Sequence, residues 1–102
     1  MDLSENAPTP PRTIELAEAL DLPEAVNLAA SLLKLVGEDL EIDAGKVQRL
    51  GASCLQVLLS AVRTWKAEST SLTLVHGSER FIDDLRLLGF TPETLFSGAQ
   101  TQ

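Results

Sequence analysis

The sequence predicts a single α/β domain, because short strand-like segments alternate with amphipathic helical ones along its length. Apolar residues recur with a period of two in three short segments and with a helical period in three longer ones. A chain of 102 residues that is 44% hydrophobic can also bury one core. The resulting β-α-β-α-β-α order implies right-handed crossovers and a largely parallel sheet.

The first predicted element is a strand at residues 13–16, where polar and apolar side chains alternate. Residues 1–11 precede it; they are polar and contain three prolines, so they are predicted to form a flexible tail. After the strand, residues 19–20 are interpreted either as a second short strand or as a turn.

The first predicted helix begins after Asp21. Asp21 and Glu24 have the spacing of a capping box, and Pro23 lies in the first turn, where its missing N–H is tolerated. Gly37 supplies the stop signal. The helical repeat predicts a buried stripe, widened by Ala25 and Leu32, that consists of Leu22, Val26, Ala29, Leu33 and Val36.

The middle of the chain predicts a strand, a loop and a long helix. Residues 39–43 form the strand, with Leu40 and Ile42 on one face. The loop at residues 44–52 is expected to be anchored to the core by apolar side chains, and the helix is expected to span residues 53–67. The predicted buried face of that helix comprises Leu55, Leu58, Leu59, Val62 and Trp65.

The last third predicts one strand, one helix and a short final turn. The strand spans residues 71–76, with Leu72, Leu74 and Val75 as inward candidates. Ser78 is placed to cap the helix that follows, whose apolar repeat is Phe81, Ile82, Leu85 and Leu88. Gly89 fits the C-terminal cap, and Phe90 is expected to pack back onto the core. A turn begins near residue 91 and carries Leu95 and Phe96; residues 97–102 are expected to form a loose end.

Charge narrows the function. A formal net charge of −7 argues against general nucleic-acid binding, which requires cations to displace counterions. Residues 1–43 hold ten acidic and two basic residues, whereas residues 44–67 hold four bases and no acid. This basic island is interpreted either as ordinary solvated charge or as a partner-facing, phosphate-accepting surface. Its members are Lys46, Arg49, Arg63 and Lys66.

The sequence favours a cytoplasmic protein. A single cysteine excludes an internal disulfide and cannot build a cysteine-based metal site. The amino-terminal residues lack the basic-then-apolar pattern of a signal peptide, and no apolar run approaches the length of a membrane span, so direct membrane insertion is not expected.

Catalytic, metal and cofactor chemistry have little support in the sequence. His76 is the only histidine and is interpreted as a satisfied structural residue, because no spacing joins it to a nucleophile and an acid. No His, Cys or carboxylate cluster suggests a metal, and no glycine-rich phosphate loop is present. Asp43 is expected to hydrogen-bond the following loop, Cys54 to be a buried unreactive thiol, and Trp65 to belong to the core.

The start of the long helix carries the strongest functional signal. Residues 49–59 follow a strand and place Ser53 at a helix amino terminus, where unpaired N–H groups and a partial positive charge favour an anion. A serine there is explained by N-capping alone, or by a regulated phosphosite, and the two roles are compatible.

Four segments together resemble the STAS domain, the fold of bacterial anti-sigma factor antagonists. They are Leu-Glu-Ile-Asp at 40–43, Val-Gln-Arg-Leu at 47–50, Gly-Ala-Ser-Cys-Leu at 51–55 and Leu-Leu-Gly-Phe at 87–90. The third segment falls on the family's Asp-Ser-Ser-Gly-Leu motif, whose second serine is the phosphorylated one, and Ser53 matches it. Gly51, Ala52 and Cys54 replace the motif's aspartate, first serine and glycine.

The resemblance implies a STAS fold over residues 12–96, with a mixed, largely parallel sheet of about four strands and three to four helices. It implies a non-enzymatic signalling module whose partner is a histidine kinase, in a chemotaxis kinase and response-regulator system, or an anti-sigma factor kinase, switched by phosphorylation at Ser53. The candidate partner-binding residues are Arg49, Gly51, Ala52, Ser53, Gln56 and Arg63. The alternative is a constitutive STAS adaptor that binds the ATPase subunit of a membrane lipid transporter. No cofactor is implied, and the oligomeric state stays open.

Overall fold

A computed structural model describes residues 11–97, and it confirms the predicted α/β architecture. The predicted tail and loose end fall, apart from Pro11 and Ser97, on residues 1–10 and 98–102, which lie outside the described residues. Within residues 11–97 the elements are β1 (Arg12–Glu15), β2 (Ala19–Leu20), α1 (Leu22–Leu33), β3 (Leu40–Ala44), β4 (Arg49–Leu50), α2 (Ala52–Ala67), β5 (Leu72–Gly77), α3 (Glu79–Leu87) and α4 (Pro92–Phe96).

Every strand pair in this part of the chain is parallel. The larger sheet has the order β1-β3-β5, so β3 is central and its Leu40 and Ile42 are fully buried. A separate two-stranded sheet pairs β2 with β4, with Leu20 opposite Leu50. This second pairing decides the open question at residues 19–20 in favour of a strand, and it places a strand inside the segment predicted as a loop. A two-residue strand has too short an alternation to be recognised from sequence.

The core is mostly aliphatic, and α2 crosses it with six buried residues. Trp65, Phe81 and Phe96 are its largest side chains. The prediction that Trp65 belongs to the core is confirmed: its side chain is 1% exposed, and its indole N–H donates to the Glu38 carbonyl at 2.7 Å. That hydrogen bond satisfies the one polar atom of the indole.

The main row of the buried face predicted for α1 is wrong, whereas the flanking Ala25 and Leu32 are buried as predicted. Leu22, Val26 and Leu33 are 68%, 69% and 75% exposed, and Val36 after the helix is 36% exposed. The residues that α1 buries are Ala25, Leu28 and Leu32. Apolar residues occupy most of the circumference of α1, so periodicity alone could not choose between two apolar stripes.

The capping predictions have mixed outcomes. Ser78 caps α3, accepting from the Phe81 N–H at 3.0 Å, and Gly89 after α3 has a φ of +95°. Thr91 starts α4 with a capping box whose third helical residue is Thr94. Asp21 is the N-cap of α1 as predicted, but its carboxylate forms no capping hydrogen bond, so the predicted capping box is absent.

Two further expectations for side chains at the end of β5 are wrong. Val75 is 38% exposed rather than inward, because β5 becomes exposed towards its end. His76 is also exposed, and its ring forms no hydrogen bond with another residue among 11–97. The histidine is therefore a surface residue at a strand end, not a satisfied structural one.

Candidate partner-binding site

The start of α2 is held in place by two backbone N–H groups, which donate to a backbone carbonyl of one neighbouring element and to a side-chain carboxylate of another. The Gly51 N–H donates to the Leu20 carbonyl of β2 at 2.8 Å. The Leu50 N–H donates to Oδ2 of Asp84, on α3, at 2.9 Å. Since β2 and α3 come from different parts of the chain, the two hydrogen bonds together fix the position of the first turn of α2.

The helix begins one residue earlier than predicted, and its N-cap is Gly51 rather than Ser53. Gly51 has extended backbone angles, and its carbonyl accepts from the Leu55 N–H at 3.2 Å, which closes the first turn. A Cβ at this position would lie 3.1 Å from the Leu20 carbonyl oxygen. Such a contact is tighter than most that a Cβ makes, and with glycine at the N-cap no side chain caps α2.

Ser53 is the second helical residue of α2 and is half-buried. Its hydroxyl caps nothing, and it forms no hydrogen bond with another side chain or backbone group among residues 11–97. Ala52 before it and Gln56 one turn later are exposed. Capping therefore does not account for the serine, contrary to the first of the two sequence interpretations.

The candidate residues form one compact group and one distant member. Arg49, Gly51, Ala52 and Ser53 lie within a few residues at the start of α2, with Gln56 one turn along. Arg63 follows Ser53 by ten residues, which is about 15 Å along a helix. The structure therefore does not bring Arg63 to the serine.

The predicted basic island does not form a single cluster. Lys46 pairs with Glu15 at 3.2 Å, and Arg49 pairs with Asp21 at 3.4 Å. Lys66 is exposed on α2, and within the described part of the chain it takes part in none of the ion pairs. A phosphate on Ser53 would have to compete with the Asp21 carboxylate for Arg49.

Cys54 lies beneath the first turn of α2 and is fully buried, as predicted. Its thiol donates to the Asp21 carbonyl at 3.3 Å. Burial raises the pKa of the Cys54 thiol above its ordinary value, and the negative charges of Glu24 and Asp21 raise it further. The neutral thiol is therefore favoured over the nucleophilic thiolate, which is consistent with an unreactive packing residue.

The residues considered for catalytic or metal chemistry do not cluster at the start of α2. Oδ1 of Asp43 accepts from the Gly45 N–H at 2.9 Å, which confirms its predicted role in the following loop. Across residues 11–97, no group of three or more His, Cys, Asp or Glu residues is arranged to hold a metal ion.

Sequence reasoning missed an apolar groove between α1 and α2. The groove has a volume of about 180 Å³ and is lined by Ala29, Leu32, Leu33, Val36, Val57, Ser60, Ala61, Thr64 and Trp65. It went unnoticed because the outer stripe of α1 was assigned to the core. The sequence feature that could have predicted the groove is the number of apolar residues in α1, which is larger than one buried face requires.

Comparison with known proteins agrees with the fold. A family model described as "Mlab, STAS domain" matches residues 4–95. No curated protein and no solved structure matches the chain. Within residues 11–97, none of the helices has the length and apolar character needed to cross a bilayer. STAS domains are in general non-enzymatic modules of protein–protein interaction, of the type found in anti-sigma factor antagonism. Since the match covers nearly the whole sequence, the chain belongs to the STAS domain family.

Proposed function

We propose that the chain is a cytoplasmic, non-enzymatic module that binds a protein partner through the first turn of α2, with Ser53 as the residue that controls binding. The observation that carries the proposal is the position of Ser53: half-buried, one residue past an exposed Ala52, and not used as a helix cap. A hydroxyl that the fold does not use is available to a partner or a kinase.

Phosphorylation of this serine would leave the fold intact and change the surface. A phosphate adds about −1.5 to −2 charge at neutral pH, and negative charge is favourable in the first turn of a helix. Inside an interface the same charge costs several kcal/mol unless a basic partner group meets it. Arg49, the nearby cation of the site, already pairs with Asp21. We therefore expect modification of Ser53 to release the partner.

In this proposal the partner is a histidine kinase of a chemotaxis system or an anti-sigma factor kinase. Each change of 1.4 kcal/mol alters affinity about tenfold, so a single phosphate is sufficient to dissociate a micromolar complex.

The testing experiment is an affinity pull-down from cell extract with the wild type, Ser53→Asp and Ser31→Asp, read by mass spectrometry. Ser31 is exposed on α1, so Ser31→Asp adds the same charge on a helix away from the site. Loss of a kinase only in Ser53→Asp supports the proposal. Equal loss in both variants points to net charge, and capture of nothing by the wild type contradicts the proposal.

A second candidate function is a constitutive adaptor that binds the ATPase subunit of a membrane lipid transporter. The exposed apolar side chains of α1 favour it, because a permanent interface covers apolar surface that a free monomer would expose. The same pull-down separates the two functions: an ATPase subunit retained equally by the wild type and Ser53→Asp supports the adaptor.

A further inference from the structure

The outer stripe of α1 is the most concentrated apolar surface in the described residues. Among residues 11–97, six large hydrophobic side chains are exposed. Three of them, Leu22, Val26 and Leu33, lie at helical spacing on α1, and a fourth, Val36, follows in the turn after the helix. Scattered apolar residues are ordinary on a protein surface, but a contiguous row marks an interaction site. We call this row, with Ala29 between its halves, the α1 stripe.

Ala29, Leu33 and Val36 of the α1 stripe form one wall of the groove described above, and α2 forms the other. Ser60 and Thr64 of α2 line it, and Trp65 lies buried in its floor. The two helices begin at the same end, since Asp21, which precedes α1, accepts a hydrogen bond from Cys54 in the first turn of α2. The groove is therefore a channel between parallel helices, and the part of the stripe that lies on α1 is about 17 Å long.

Exposed cations flank this apolar surface. Lys34 follows Leu33 directly on the α1 side, and Arg63 lies three residues after Ser60 on α2. The ion pairs formed within residues 11–97 involve neither of these two cations, although the chain as a whole has a net charge of −7. An occupant with complementary charge would therefore carry negative charge beside its apolar face.

We infer that this groove binds an amphipathic helix of the partner protein, one whose apolar face is flanked by acidic residues. An amphipathic helix laid into a hydrophobic groove is an established mode of recognition. A second copy of the chain fits less well, because two copies carry a net charge of −7 each and would bring the same cations together. The inference rests on the proposed function and names the chemistry of the partner.

The groove is continuous with the site at Ser53. Positions 53, 57, 60 and 64 of α2 have the i, i+4, i+7, i+11 spacing of a single helix face, and the last three line the groove. A helix lying along the groove therefore extends towards the serine at one end. A phosphate on Ser53 would meet the acidic flank of that helix, and this like-charge contact gives a physical reason for release.

The test is a titration with a synthetic helical peptide of about 18 residues, apolar on one face and flanked by Glu, followed by the emission of Trp65 and by amide chemical shifts. A matched peptide replaces each flanking Glu by Lys. We expect the Glu peptide to bind at least about tenfold more tightly, with shifts concentrated at Ala29, Val57 and Ser60. Equal binding of the two peptides, or no binding of either, overturns the inference.

Variants locate the binding surface. Leu33→Glu should weaken the Glu peptide at least about tenfold, whereas Leu87→Glu, at an 84% exposed leucine of α3, should leave it unchanged. The double variant Lys34→Glu, Arg63→Glu should reverse the preference between the peptides. Circular dichroism verifies that each variant is folded. Binding that survives Leu33→Glu contradicts the groove as the site.

The outcome separates this inference from the proposed function. If the pull-down captures a partner that Leu33→Glu retains in full, the groove inference fails and the function stands. If the wild type captures nothing, the function fails whatever the peptide does. A concentration-dependent dimer in sedimentation that Leu33→Glu dissociates would assign the groove to a second copy and overturn the inference.

Discussion

At the scale of single residues, the start of α2 depends on Gly51, which has no Cβ and no side chain. The Gly51 N–H donates to the Leu20 carbonyl, which joins the helix to β2, and a Cβ at Gly51 would lie 3.1 Å from the same oxygen. Glycine has no side chain that could cap the helix, so the first turn is stabilised by its attachment to the small sheet rather than by a cap.

We expect Gly51→Ala to lower the free energy of unfolding by about 1–2 kcal/mol. Alanine is a much poorer N-cap than glycine. Its Cβ would also lie 3.1 Å from the Leu20 carbonyl oxygen, which accepts the hydrogen bond of the N–H of residue 51. Urea denaturation measures the change. Ala52→Ser, at the exposed next position, is the control and should have little effect. An unchanged midpoint for Gly51→Ala would show that the carbonyl moves aside freely.

The Cys54 thiol gives stability a pH dependence of known sign. Its pKa is raised in the folded chain, so folding favours the neutral form. The contribution is fully present below the ordinary thiol pKa of about 9 and is lost as the pH rises through the raised pKa. The difference in unfolding free energy between the wild type and Cys54→Ala should therefore narrow above about pH 9. A difference that stays constant to pH 11 would contradict this.

At the scale of elements, the helices were easier to predict than the way they pack. The helix caps and ends at Ser78, Gly89 and residues 91–96 could be predicted from the sequence, because capping is a local interaction. The face of α1 and the pairing of β2 with β4 depend on contacts distant in sequence, and neither leaves a local pattern. The same holds for the candidate site. Its segment was predicted from local residues, but the N-cap at Gly51 contacts Leu20, some thirty residues earlier in the sequence, and was not predicted.

Two adjacent leucines of α1 test which face the helix buries. Leu32 is 4% exposed and Leu33 is 75% exposed. We expect Leu32→Ala to cost about 2–5 kcal/mol of unfolding free energy, through lost burial and a cavity, and Leu33→Ala to cost less than about 0.5 kcal/mol. Thermal or urea denaturation measures both. Similar costs for the two variants would mean that the helix is rotated relative to the arrangement described.

The link between α3 and β4 can be removed at one carboxylate. Asp84 accepts from the Leu50 N–H at 2.9 Å in a partly buried position. Asp84→Ala leaves that N–H without its acceptor and should cost about 1–3 kcal/mol. Asp84→Asn, which keeps a side-chain oxygen, should cost less, and Asp83→Ala at the exposed neighbour should be nearly neutral. Equal effects of Asp83→Ala and Asp84→Ala would exclude a specific role for the hydrogen bond.

At the scale of the whole molecule, one buried cluster connects the sheet with all four helices described in residues 11–97. Leu16, just after β1, and Leu20 of β2 belong to it, as does Phe96 of α4. A core shared by elements from both ends of the described chain favours cooperative unfolding, because no element retains its packing once the others are lost.

We expect unfolding to be a single transition. Trp65 is the only tryptophan and is buried, so its emission reports loss of the core, while far-ultraviolet circular dichroism reports loss of the helices. The two curves should coincide in urea, with one midpoint. Transitions that separate would show that part of the chain unfolds independently, and hydrogen exchange would then identify the part.

The two sides of α1 have a consequence for how this protein can diversify. Its inner side chains, Ala25, Leu28 and Leu32, are fixed by packing, whereas the outer row contributes nothing to the core. Substitutions in that row are therefore nearly free of selection for stability. Duplicated copies of such a gene could acquire different partners by changing one helix face while every other part of the domain stays the same.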